Sequence, residues 1–262
     1  MDKTLSTAAT GLTAQQRYVE IISNNIANVN TSGFKKVRPE FQDLLYETLR
    51  PAGTYNKVNV EPMNEVQIGS GTELIGTTRI YKQGDVNQTG NPLDLAVNGD
   101  GFFIVRKPDN SFAYTRDGSF QLDRNGQIVT SQGYPLEPGF NIPTDSKQVT
   151  IGRDGTISVL LDGSTDEQQL GQLQLARFIN PGGLHAAGDN LLEESPASGK
   201  AIFETPGMNN TGTINQGQLE NSNVDIVSEM VNMITAQRAY ELNSKSVTTA
   251  DNILGVAVNL KR

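Results

Sequence analysis

The chain has 262 residues, room for one large domain or two modest ones, and its low hydrophobic share of 36% with 26 glycines argues against a large single-cored enzyme. Its 29 acidic and 21 basic residues leave a net charge of −8, which repels phosphate backbones and anionic headgroups and sets nucleic acid aside as a partner. With no cysteine, disulfides, zinc–thiolate sites and thiol nucleophiles are excluded.

The first residues, "MDKTLSTAATGLTAQQ", have an acidic second position and no apolar core, so they do not read as a conventional signal peptide. No stretch approaches the roughly 18 apolar residues that span a bilayer. From Leu5, small or apolar residues recur at intervals of three and four, through Ala8, Leu12, Val19, Ile22, Ile26 and Val29, with Gln15 as a polar interruption. That spacing predicts an amphipathic helix with a seam for a neighbouring helix. Gly11 with Ala8, Ala9 and Ala14 thins one part of its surface. The run ends in "SNNIANVNTSGFKK" (23–36), where Asn24, Asn25, Asn28 and Asn30 favour caps and turns over helix interiors. Gly33 can take the left-handed conformation that closes a helix, and Phe34 is placed for the accompanying apolar contact. The stretch reads as a helix exit with outward-looking asparagines, and an ordinary cap accounts for the same residues.

Residues 35–75 read as an extended or hairpin linker, its 46–75 part marked by Pro51, Pro62 and several glycines. Between 76 and 205, β-branched and aromatic runs are punctuated by Asn98-Gly99, Asp100-Gly101, Asp117-Gly118, Asn125-Gly126, Asp154-Gly155 and Asp162-Gly163, which predicts an antiparallel β domain built of hairpins. A return linker, 206–221, leads to a C-terminal helix over 222–262. Its seam is expected along Ile226, Met230, Met233, Gln237, Tyr240, Ser244, Val247, Leu254 and Val258. Ser222 and Asp225 are spaced as a capping box, and Glu241 stands four residues before Lys245 in the favourable order. The expected fold is α+β: N-terminal (1–34) and C-terminal helices packed as a coiled-coil-like helical domain, with the all-β domain inserted between them.

Ordering a helix costs roughly 1 to 2 kcal/mol per residue, against about 1.5 to 3 kcal/mol for each large apolar side chain fully buried. Two terminal helices with few large side chains are marginal alone. They are expected to become firm when many copies pack their seams; folding back onto the β domain is the alternative.

Chemistry is sparse. His185 is the sole histidine, in a Gly-rich stretch, and reads as a surface residue. In "LDRNGQ" (122–127), placing Gly126 at the glycine of a calcium loop puts Gln121 and Gln132 where acidic ligands belong, so it reads as a turn. "IGSGTELIG" (68–76) lacks phosphate-loop spacing. Asp94, Asp100, Asp117 and Asp123 read as hairpin-tip residues rather than glycosidase pairs. Tyr81, Phe102, Phe103, Phe112, Tyr114 and Phe120 would make a carbohydrate platform only if exposed, and alternation places most of them in a sheet core. No catalytic residue, metal or cofactor is expected.

Four stretches, "SNNIANVNTSGFKK", "LDLAVNGDGFFIV", "YTRDGSFQLDRNGQIVTSQGYPL" and "EMVNMITAQRAYELNSKSVTTADNIL", together resemble the bacterial flagellar basal-body rod proteins across nearly the whole chain, most of all those of the distal rod. The resemblance implies a non-enzymatic subunit that polymerises helically into a rigid hollow drive shaft crossing the periplasm, exported by the flagellar type III apparatus without a cleaved signal peptide. Its partners would be further copies of itself, hook and proximal rod proteins, envelope ring proteins and a rod cap, with no small-molecule substrate. Asn24, Asn25, Asn28, Asn30, Gly33 and Phe34 match the family's rod signature at the exit of the inner helix. The long segment 46–71 favours straight rod over hook, with a proximal rod paralogue or hook-type protein as alternatives. Another class, a secreted β-rich carbohydrate-binding or wall-hydrolase module with helical arms, predicts soluble monomers with saccharide affinity or turnover.

Overall fold

The computed structural model describes residues 2–50, 65–163 and 166–259. The middle of the expected linker, 51–64 with Pro51 and Pro62, lies outside the described residues, as does the side chain of Val258. The fold is α+β, and the chain divides into two compact units, one of Met1–Ile26, Val37–Thr78 and Asp225–Arg262, the other of Ala27–Lys36 and Arg79–Val224.

The first unit is built on two long helices, α1 (Asp2–Ala27) and α2 (Ile226–Asn259). They run antiparallel: Asn25 near the end of α1 meets Glu229 near the start of α2, while Gly11 lies against Asn243. α2 begins one residue after Asp225, whose carboxylate accepts from the backbone N–H of Val227 (3.2 Å) and Ser228 (3.3 Å). Asp225 is therefore the cap, and Ser222 merely accepts from Val224 N–H at 3.3 Å, because the helix starts too late for Ser222 to reach its free donors. Glu241 pairs with Arg238 at 3.2 Å, three residues earlier. The strands Val37–Asp43 and Thr72–Arg79 pair with each other, and Tyr46–Arg50 pairs antiparallel with Val66–Gly69. This ribbon lies close to α1. A Cβ on Gly71 would stand 2.1 Å from Thr10 Oγ1, and the Phe41 ring meets Tyr18 edge-on at 6.2 Å. No helix among the described residues is long and apolar enough to cross a membrane.

The second unit centres on a seven-stranded sheet in the order His185–Gly188, Leu191–Glu193, Phe112–Thr115, Phe102–Arg106, Leu175–Arg177, Ile202–Glu204, with Leu136–Glu137 also paired to Phe102–Arg106. Its ladders are antiparallel. Strand 102–106 shows why a run of consecutive apolar residues is needed here: Phe103 and Val105 point into one core with Leu95, Phe120 and Ile214, Phe102 and Ile104 into another with Tyr114 and Phe178. Side chains alternate across a strand, so a sheet covered on both faces must be apolar at every position. Of the six aromatics weighed as a platform, Phe102, Phe103, Tyr114 and Phe120 are buried, Tyr81 packs partly buried against the core, and Phe112 is exposed.

Three of the six turn dipeptides close hairpins: Asn125-Gly126 between Gln121–Leu122 and Ile128–Val129, Asp154-Gly155 between Ser146–Ile151 and Thr156–Leu161, and Asp162-Gly163 between the latter and Glu167–Gln172. The others do not. Leu95–Asn98 pairs with Thr213–Gln216, so Asn98-Gly99 and Asp100-Gly101 carry the chain from one sheet to another. At Asp117-Gly118 the chain passes so near Leu95 that a Cβ on Gly118 would meet Leu95 O at 1.6 Å. The hairpin between Phe102–Arg106 and Phe112–Thr115 turns instead at Pro108–Ser111, with Asn110 at φ 63° and Lys107 N–H donating to Ser111 O. Both stretches read from sequence as connections contribute strands: 35–75 supplies the ribbon on α1, while Thr213–Gln216 and Gln218–Glu220, from 206–221, pair into the β unit.

Candidate functional site

Two arrangements carry the residues singled out in the sequence, one in each unit. In the β unit, the end of the asparagine stretch is clasped. Gly33 takes φ +69° and donates its N–H to Glu220 O at 2.8 Å. An added Cβ would lie 2.5 Å from the Arg116 carbonyl carbon, so this position requires glycine for close backbone approach as well as for its left-handed φ. α1 has already ended at Ala27, six residues earlier, so Gly33 does not close the helix. The Phe34 ring lies 5.9 Å below the Arg79 guanidinium, and Lys36 N–H donates to Asn223 Oδ1 at 2.7 Å, while Asn223 Nδ2 donates to the carbonyls of Ile80 and Lys82.

Lys35, next along, is fully buried. Its Nζ donates to Glu220 Oε1 at 2.5 Å and to Lys82 O at 3.0 Å. Glu220 Oε2 accepts from Arg116 Nη1 at 3.3 Å, and Gly84 N–H adds a bond to Oε1 at 3.0 Å. Arg116 donates further to the carbonyls of Val97 and Gly99. Loss of water lowers the Lys35 ammonium pKa, and the hydrogen bond and charge of Glu220 offset that only in part. One carboxylate thus holds two buried cations and ties segments from four parts of the unit. Removing a member of such a set leaves an uncompensated buried charge.

In the helical unit, Asn25 is buried and not outward-looking. Its side chain exchanges two bonds with the Val37 backbone, accepting at 3.0 Å and donating at 2.9 Å, and donates to Glu229 Oε2 at 3.1 Å. Asn24 and Asn30 are exposed, and Asn28 is half-buried with its carbonyl accepting from Thr31 N–H.

Along the expected seam of α1, Ala8 and Ile22 are buried, and Leu5, Leu12, Val19 and Ile26 are half-buried. On α2 the expected stripe divides. Met233, Val247 and Leu254 are half-buried; Ile226, Met230, Gln237 and Tyr240 are exposed. Among the described residues, those α2 buries are Glu229, Ala236 and Ala250, with half-buried Asn243 on the same seven-residue spacing. Sequence reasoning missed this stripe because it is made of small and polar residues. The large side chains face out: Val227, Met230, Val231 and Ile234 are 69%, 54%, 57% and 56% exposed, and their spacing of three and four puts them on one face. Leu242, Ile253 and Val256 are exposed further along.

Among the described residues no three His, Asp or Glu are grouped to hold an ion, His185 lies exposed at the start of an outer strand, and Gly126 N–H bonds Asp123 O in a plain turn.

Family models match in three places: that of flagellar basal body rod proteins over residues 5–35, that of the flagellar hook protein FlgE/F/G D1 domain over 96–159, and the C-terminal model of flagellar basal body rod FlgEFG proteins over 215–260. The three models together set the chain among flagellar rod and hook proteins. Among curated relatives, the flagellar basal-body rod protein FlgG of Buchnera aphidicola from Schizaphis graminum is 51% identical, with 94% of each chain covered, and that of Borreliella burgdorferi 49% over the whole of both. The flagellar hook-basal body complex protein FlhP of Bacillus subtilis is 31% identical over 98% of each. The chain belongs to the FlgG family of flagellar basal-body rod proteins.

Proposed function

We propose that the chain is a structural subunit of the distal rod, polymerising helically through its terminal helices into the rigid hollow shaft that carries torque to the hook. The observation that carries this reading is the outward apolar face of α2 in a chain half identical to rod proteins. A helix that packs inward with alanines and outward with valines, isoleucine and methionine leaves most of its hydrophobic stabilisation for a neighbour. Completing the burial of Val227, Met230, Val231 and Ile234 is worth roughly 1 kcal/mol each, repeated in every subunit of a polymer.

In this reading α1 and α2 form the inner, coiled-coil-like layer, and the β domain expected over 76–205 belongs to the outer one. Leu5, Ala8, Leu12, Val19, Ile22 and Ile26 on α1 and Ile226, Met230, Met233, Gln237, Tyr240, Val247 and Leu254 on α2 share the seams. Ile22, Met233, Val247 and Leu254 serve within the subunit and the exposed members between subunits. The signature Asn24, Asn25, Asn28, Asn30, Gly33 and Phe34 fixes where the chain leaves α1. Hook and proximal rod proteins, ring proteins and a rod cap are the expected neighbours, in the periplasm, after export without a cleaved signal peptide.

Electron microscopy and sedimentation of concentrated protein test the proposal. The native chain should form straight tubular assemblies, whereas Met230→Asp with Val231→Asp should stay dispersed with the β unit melting unchanged. Normal tubes from that double variant would remove the α2 face from the account.

A further inference from the structure

The β unit holds a cavity of about 320 Å³ lined by Tyr81, Asp100, Phe102, Arg116, Arg177 and Phe178 among others. Three buried side-chain polar atoms in the described residues have no hydrogen-bond partner, Tyr81 Oη, Arg116 Nε and Arg177 Nε, and all three belong to residues of this cavity. Arg116 is 95% buried by its 5% exposure; its Nη atoms donate to Glu220 and to two carbonyls, while its Nε has no partner. Orphaned buried donors are costly, and three in one place call for a common acceptor.

We propose that this cavity is a binding site for a carboxylate group. Arginine N–H groups donate only, and they suit the planar, two-oxygen edge of a carboxylate. The charges agree: Glu220 is already shared between Lys35 and Arg116, and the lining of the cavity sets two cations, Arg116 and Arg177, beside the single exposed carboxylate of Asp100. Tyr81 stays a neutral donor, because loss of water raises its pKa to about 12. The walls select against bare phosphate. Phe102 packs edge-on against Phe178 at 5.7 Å and lies beneath the Arg116 guanidinium at 5.3 Å, offering an apolar surface for the stem of an organic acid or of an Asp or Glu side chain. The volume far exceeds the roughly 30 Å³ share of one water molecule.

The full chain is titrated with propionate, inorganic phosphate and chloride at constant ionic strength, followed by calorimetry and amide NMR shifts. Saturable propionate binding is expected, with shifts at Gly101, Phe102 and Phe178. It should weaken at least tenfold in Arg177→Met and several-fold in Tyr81→Phe, with both variants melting like the native chain. A linear, unsaturable response, or equal binding in native and both variants, overturns the site. Repeating the propionate titration on assembled protein identifies the source. Loss of binding there, restored on dilution, assigns the carboxylate to a second copy of the chain, and unchanged binding assigns it to a free organic acid. Either result upholds the site, and only this arm rests on the proposed assembly.

Discussion

In the β unit the fully buried side chains are large, among them Tyr114, Phe103, Phe120, Leu95, Ile157, Leu173, Leu175 and Ile214. In the helical unit the buried positions of α1 and α2 among the described residues are Ala8, Ala14, Ala236 and Ala250, with Ile22 the one large apolar member among them, and two polar residues, Asn25 and Glu229. Both units follow the same physics, yet they place their hydrophobic free energy differently. The β unit encloses it. The helical unit spends little within itself, since alanine contacts return a fraction of what leucine or phenylalanine would, and the Asn25–Glu229 bond fixes register more than it stabilises. Its large side chains lie on the surface, which is the division of labour that the proposed polymerising subunit needs: one part with an enclosed core, another left for neighbours to complete.

The sharpest way to break this contrast is to open each core. Phe103→Ala, at 1% exposure and edge-on to Phe120 at 5.1 Å, should cost the β unit about 3 to 5 kcal/mol in denaturant unfolding. Val231→Ala, more than half exposed on α2, should leave the melt of the dilute chain within about 0.5 kcal/mol of native. Comparable losses from the two would show that the helices are as self-sufficient as the sheet.

A smaller effect is expected at the charged clasp. Glu220→Gln keeps an acceptor near Lys35 and Arg116 but removes the charge, leaving two buried cations uncompensated. The expected cost is roughly 3 kcal/mol of β-unit stability. Pairing the change with Lys35→Met removes one of those cations and should recover part of the loss. An additive double mutant would mean that the clasp is not the interacting set its geometry describes.

The long helices and the strand-rich middle were legible because each has its own period. What the pattern could not give was the direction in which each face points. α2 is apolar over so much of its circumference that several seven-residue stripes fit, and Met230, Gln237 and Tyr240 stand out by size while Ala236 and Ala250 do the inward packing. The clasp was hidden for a different reason: Lys35 lies 185 positions from Glu220, and no local spacing links them. Turn dipeptides, too, state only that the backbone bends; whether the next strand pairs with the last, as after Asp154-Gly155, or moves to another sheet, as after Asn98-Gly99, depends on partners elsewhere in the chain.

The smallest change tests whether the helical unit has a stability of its own that the β unit does not share. Asp225 caps α2 through its carboxylate bonds to Val227 and Ser228, and its charge also opposes the positive end of the helix dipole. Asp225→Ala should cost α2 about 1 kcal/mol and Asp225→Asn, which keeps one of the two acceptor oxygens, distinctly less. Because α2 draws little support from its own buried alanines, that loss should appear as faster amide exchange over its first turns in the dilute chain, with exchange in Phe102–Arg106 unaltered. Equal acceleration in both places would tie the two units into one cooperative whole, and the separation between a finished sheet and a waiting helix would have to be given up.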